Sequence, residues 1–71
     1  MTDYRPIFAR NIKAMRKARG LSQEALALEA GIDRTYISGI ERAIRNPSLA
    51  LMGTLADCLK CDLSTLLQSD D

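Results

Sequence analysis

The sequence predicts an all-α domain of five helices, with the second and third joined at a corner too short for a hairpin. Three observations carry this. Apolar residues recur at three- and four-residue spacings along the chain, and no segment alternates apolar with polar as a half-buried strand would. Ser, Asp, Gly and Pro punctuate that pattern at helix-length intervals. Only Gly31, Ile32 and Asp33 separate the second helical stretch from the third.

The first helix is predicted from about Tyr4 to Arg19, where Phe8, Ile12, Met15 and Arg19 fall at spacings of four, three and four. Pro6 suits its first turn, where a missing N–H costs nothing, and Gly20 suits the left-handed residue that ends a helix. Ser22 stands where an N-cap belongs, ahead of a second helix from Gln23 to about Ala30 that turns Leu26, Ala27 and Ala30 inward. Gly31 ends it, and Asp33 caps a third helix of roughly Arg34 to Arg42 that buries Ile37 and Ile40. Asn46-Pro47 breaks the pattern. Ser48 then caps a fourth helix of about Leu49 to Leu59, whose inward face is Met52, Leu55, Ala56 and Leu59. A fifth, from about Leu63 to Gln68, presents Leu63, Leu66 and Leu67. Three residues between helices two and three force a steep crossing, and a small-residue turn between two short helices is the geometry of a helix-turn-helix.

Composition sets bounds on function. A 71-residue chain makes one small domain, with a core expected over residues 5–67 and short flexible ends, the Gln68–Asp71 tail among them. Such a domain buries only ~60% of its unfolded surface, so staples or a partner matter to its stability. Hydrophobic residues are 46% and charged residues 27%, a globular balance. There is no histidine, and the two cysteines, Cys58 and Cys61, form no ligand set for zinc, so neither metal nor cofactor is expected. Their C-x-x-C spacing would suit a redox pair at a helix N-terminus, but they fall at a predicted C-terminus and are read as ordinary packing residues. With no nucleophile–base pair and no metal cluster, the sequence argues against an enzyme. No apolar run suggests a secretory signal or a membrane span, so a cytoplasmic protein with reduced thiols and no membrane partner is expected. Net charge is only +1, but residues 1–46 carry nine of the ten Lys/Arg and five of the nine Asp/Glu, giving +4, while residues 47–71 stand at −3. One end can face a polyanion while the other avoids it.

Six short pieces, in order, carry a family resemblance: Ile12-x-x-Met15-Arg16, Gly20-Leu21-Ser22-Gln23-Glu24-x-Leu26-Ala27, Ala30-Gly31-Ile32, Ile37-Ser38-x-Ile40-Glu41-Arg42, Asn46-Pro47-Ser48 and Leu55-Ala56-x-x-Leu59. From about Phe8 to Leu67 the chain resembles the Cro/C1-type, or XRE, helix-turn-helix domains. The resemblance implies a five-helix, lambda-repressor-like DNA-binding fold. The stretch Asp33–Arg42 most resembles the controller proteins of restriction–modification systems, which are short dimeric regulators acting on their own operon. Two positions depart from the family, which usually has glycine where this chain has Ala43 and favours glycine where it has Lys60. A positive φ at Ala43 would cost about 1 kcal/mol.

A recognition helix turns its N-terminal outward residues to base edges. That leaves Arg34, Thr35, Tyr36, Ser38 and Gly39 for the DNA side of helix three. Arg34 can take guanine O6 and N7 bidentately, or bind a phosphate. Thr35 can meet a thymine methyl. Tyr36 either contacts DNA or is a half-buried spacer, and Ser38 is better suited to phosphate. Gly39, lacking a side chain, admits close approach by a neighbouring group. The family places Gln23 on a phosphate at the start of helix two, and Arg45, Asn46 and Arg42 are expected on the backbone, Arg42 alternatively as a helix C-terminal charge. The family also pairs Arg16 with Glu41 in an ion pair that fixes the recognition helix.

One recognition helix reads few base pairs, so the expected partners are double-stranded DNA and a second copy of the chain. Leu49, Leu51, Leu63, Leu66 and Leu67 exceed what one small core needs and are assigned to a homodimer interface at the acidic end, or else close the monomer core. No small-molecule ligand is evident. The function expected is transcription regulation on a pseudo-palindromic operator. The alternative is an antitoxin-type interaction module that also binds DNA; such proteins usually carry a toxin-binding tail, and this sequence stops soon after Leu67.

Overall fold

The computed structural model describes residues 2–69; Met1 and the tail residues Asp70 and Asp71, to which part of the expected terminal flexibility was assigned, lie outside them. The described residues form helices α1 (Arg5–Ala18), α2 (Gln23–Ala30), α3 (Arg34–Glu41), α4 (Leu49–Cys58) and α5 (Leu63–Leu66), and contain no strand. Three of the starts follow from one short side chain each. The Ser22 Oγ accepts from the Ala25 N–H at 3.0 Å, the Asp33 Oδ1 from the Thr35 N–H at 3.1 Å, and the Ser48 Oγ from the Leu51 N–H at 3.1 Å. Each satisfies a donor that the first helical turn leaves without a partner.

The core is built from one or two residues per helix. Ile12, Leu26, Ile37, Ile40, Leu55, Leu59 and Leu66 are fully buried, and Phe8, Ala27 and Ala56 pack with them. Each buried Leu or Ile contributes roughly 1.5–3 kcal/mol of transfer free energy. Against this core α1 packs on α3 and α5, α2 on α3 and α4, and α4 on α5. Arg19 is exposed, and Arg16, beside the Ile12 and Met15 stripe, is buried. One expectation is corrected here. Leu66 is 0% exposed, so it closes the monomer core and is not available to a second copy.

Helix α5 ends at Leu66, two residues short of the expected Gln68, and the carbonyls at this end are capped from another helix. The Asn11 Nδ2 on α1 donates to the Leu66 carbonyl at 2.9 Å and the Gln68 carbonyl at 2.8 Å. A four-residue helix cannot hold itself together in water, so this side chain and the burial of Leu66 supply what local propensity does not.

The first four helices end in the same way, with a left-handed residue and a pair of backbone bonds reaching into the last turn. After α3, the Ala43 N–H donates to the Ile40 carbonyl and the Ile44 N–H to the Gly39 carbonyl, both at 3.0 Å; after α4, Lys60 and Cys61 donate to Asp57 and Ala56. This double closure absorbs carbonyls the helix cannot satisfy. Gly20 and Gly31 enter the left-handed region without penalty, at φ +68° and +72°. Ala43 (φ 62°) and Lys60 (φ 59°) do so with a Cβ. Replacing Ala43 or Lys60 with glycine therefore raises stability by about 1 kcal/mol each, or about 4–8 °C in Tm, whereas Gly31→Ala lowers it by a similar amount. Thermal unfolding followed by circular dichroism measures all three.

Candidate nucleic-acid interface

Short caps fix where α3 begins, and its two faces divide by burial. Ile37 and Ile40 point into the core. Arg34 and Thr35 are exposed, Tyr36 and Ser38 are half-buried, and Arg42, Arg45 and Asn46 beyond the helix are exposed. Several hydrogen-bonding side chains, three of them arginines, thus share a surface made by α3 and the segment after it. The Asp33 carboxyl at its rim is held below its ordinary pKa, chiefly by the hydrogen bond from the Thr35 backbone and side chain, so it stays a charged cap.

Behind this surface lies a buried ion pair. The Arg16 Nε donates to Glu41 Oε2 at 2.6 Å and Nη2 to Oε1 at 2.9 Å, a bidentate fork between α1 and α3. The third nitrogen, Nη1, donates to the Leu21 carbonyl at 2.8 Å. The two side chains are 9% and 3% exposed, so every donor and acceptor has to be met inside the protein. Among the described residues no buried side-chain nitrogen or oxygen lacks a partner.

Gln23 completes the network. Its Nε2 donates to Glu41 Oε1 at 3.1 Å, and its Oε1 accepts from Arg34 Nη1 at 3.3 Å. The ionised Glu41 can only accept, so the amide must turn its nitrogen inward and its oxygen toward Arg34. The side chain assigned to a phosphate is thus already engaged within the protein and keeps one amide hydrogen. A continuous polar chain runs from Leu21 through Arg16, Glu41 and Gln23 to Arg34.

Gly39, assigned to base reading, is corrected by its surroundings. It is buried, and the group that approaches its bare Cα is the Arg45 side chain, not solvent. The Arg45 guanidinium lies 5.5 Å from the Tyr36 ring centroid. Of the leucines assigned to an interface other than Leu66, Leu51, Leu63 and Leu67 are half-buried against the core, and Leu49 is 69% exposed. Ile44 at 59% and Leu28 at 82% are also exposed, and sequence reasoning missed both. Ile44 follows Ala43 in a turn with no helical period, and Leu28 shares the i, i+4 spacing that elsewhere marks a core face.

Cys58 and Cys61 are free and half-buried against the core. Burial pushes both thiols up, aided by Glu29 and Asp57 at Cys58 and by Asp62 at Cys61. That is the opposite direction from an activated thiolate. Among the described residues there is no cluster of three or more potential metal ligands, and no helix is long and apolar enough to cross a membrane.

A tri-residue corner, a helix with one face buried and Arg34 and Thr35 exposed at its start, and a buried brace behind it define a helix-turn-helix domain. The chain belongs to the helix-turn-helix family HTH_3, the XRE or Cro/C1 type of transcription regulators, whose model matches residues 12–66. It is 40% identical to the control protein C.SmaI of Serratia marcescens over 65 residues, covering 92% of this chain and 77% of that protein. The crystal structure of the restriction–modification controller protein C.AhdI of Aeromonas hydrophila superposes with a TM-score of 0.84 at 40% identity, covering 87% of this chain and 94% of that one. The biofilm master regulator SinR, in complex with DNA, superposes with a TM-score of 0.81 at 35% identity, covering 86% and 98%. These relatives are regulators and not enzymes.

The Glu41 carboxyl is pushed up by burial, but hydrogen bonds from Arg16 and Gln23 and the charges of Arg16 and Lys13 outweigh this and hold it below its ordinary value of 4.5. A carboxyl whose pKa is lower in the folded state stabilises that state above its unfolded pKa. That contribution is lost as pH falls through the lowered folded value. Stability measured by urea unfolding therefore declines as the pH drops below about 4.5, and Glu41→Gln flattens that decline. Glu41→Ala, which strands the Arg16 charge, costs about 3–5 kcal/mol, while pairing Arg16→Met with Glu41→Leu costs less than Glu41→Ala alone.

Proposed function

We propose that this chain binds double-stranded DNA sequence-specifically as a homodimer, with α3 in the major groove, and regulates transcription from a pseudo-palindromic site. The observation that carries the reading is the division of α3: Ile37 and Ile40 anchor it, Glu41 is locked to α1, and Arg34 and Thr35 at its N-terminal end stay free of the core. A helix held this way offers side chains to base edges at fixed positions. The SinR complex with DNA and the likeness to controller proteins support it.

In this reading Arg34 addresses a guanine and Thr35 a neighbouring base, Tyr36 and Ser38 line the groove, and Arg42 and Asn46 meet phosphates. Gln23, which keeps an amide hydrogen beyond its bond to Glu41, reaches a phosphate at the start of α2. Two copies then lie about one helical turn apart, ~34 Å, along the duplex. The second copy docks through exposed Leu49 and the accessible edges of Leu51, Leu63 and Leu67, with Ile44 at the margin.

Selection of bound sites from random DNA, with a salt titration, tests the DNA assignments. Arg34→Ala relaxes preference at one base pair per half-site by about 1–3 kcal/mol, whereas Arg42→Ala weakens all sequences alike and flattens the log–log salt slope by about one. No preference among targets even in dilute buffer ends the reading. Leu49→Glu shifts sedimentation at micromolar concentration from dimer to monomer and lowers operator affinity; an unchanged sedimentation profile removes Leu49 from the interface.

A further inference from the structure

We infer that Gly39 is a positioning residue for DNA recognition: its missing side chain is the seat that holds Arg45 over Tyr36 and carries that guanidinium onto the base-reading face of α3. The inference rests on the DNA-binding reading above and reassigns Arg45 within it.

Arg45 lies six residues beyond Gly39, outside the helix, yet it is docked back on α3 at three points. Its backbone N–H donates to the Gly39 carbonyl at 3.2 Å. Its aliphatic stem crosses the Gly39 Cα so closely that a Cβ there would lie 2.5 Å from Arg45 Cγ. Its guanidinium ends 5.5 Å from the centroid of the Tyr36 ring, within cation–π range. Tyr36 and Gly39 are three residues apart and so lie on one face of α3. The stem rests on one and the charge on the other. A phosphate clamp at the end of a helix needs no such path. Lying back along α3 over Tyr36, a residue that this reading places in the groove, the guanidinium is held on that face with much of its rotamer freedom already removed.

The glycine is otherwise unexplained. It lies inside α3 with no positive φ, where alanine favours the helix by about 1 kcal/mol. Ordinary helix energetics therefore predict that Gly39→Ala stabilises the fold, while the seat predicts that it expels Arg45. The flexible, exposed Arg45 side chain can yield, so the two effects separate in one protein.

Gly39→Ala is expected to melt at or above the parent temperature, yet to lose operator affinity on the order of tenfold, as Arg45→Ala does. Site selection should show preference relaxed at the same base pair in both variants, with the Arg34-dependent position intact. In an Arg45→Ala background, adding Gly39→Ala should change neither affinity nor preference. Parent-like affinity and preference in Gly39→Ala overturn the inference. So does an equal loss from Gly39→Ala with or without Arg45, or an Arg45→Ala effect that is uniform over all sequences. If Gly39→Ala does not fold, Tyr36→Leu carries the test, and unaltered preference at the Arg45-dependent base pair overturns the seated pose. A parent protein that prefers no sequence fails the DNA-binding reading itself, a different result from a parent with Arg34-dependent preference and a silent Gly39→Ala.

Discussion

The Arg16–Glu41 pair constrains the outer surface of α3, because two charges with almost no exposure tolerate only one arrangement of their neighbours. Each nitrogen of the Arg16 guanidinium has an assigned acceptor, and both Glu41 oxygens are occupied. A hydrophobic contact at the same place would let α3 slide or roll on α1 at small cost, whereas a bidentate fork penalises any rotation that breaks one of its bonds. The pair is weak evidence for net stability, since burying charges is expensive. Its effect is geometric: it indexes the last turn of α3 against α1, and through Gln23 the orientation reaches the exposed Arg34.

Much of the fold was legible because the signals that set it are local. A hydroxyl or carboxylate one residue before a helix can only act near that helix, and Ser22, Asp33 and Ser48 mark three starts as their chemistry requires. Gly20 and Gly31 mark two ends for the same reason. Where the determinant was distant, the local pattern failed. Nothing around Leu63–Gln68 states that Asn11, more than fifty residues away, will cap the carbonyls at the end of α5. Periodicity alone also treats an arginine as outward, so the burial of Arg16 was legible only through the family resemblance. A leucine does not declare whether the surface it seeks belongs to its own chain or another, which is why Leu66 was assigned to an interface and lies in the core.

The proposed recognition surface was legible in its residues but not in its connections. That α3 carries Arg34, Thr35, Tyr36 and Ser38 outward follows from where Ile37 and Ile40 must point. That Gln23 faces inward to Glu41 and outward to Arg34 depends on the amide's two ends being sorted by a buried carboxylate. The glycine at position 39 announced a close approach, and only the fold identifies Arg45 as the group that approaches.

Asn11 has a consequence for the order of assembly. Helix α5 is too short to exist before α1 is in place, and its last carbonyls are held by an α1 side chain. The surface of Leu63 and Leu67 that is proposed to meet a second copy is therefore completed only when the first and last helices have met. A nascent or partly unfolded chain would not display it, so quaternary pairing would be reserved for molecules that have already finished folding.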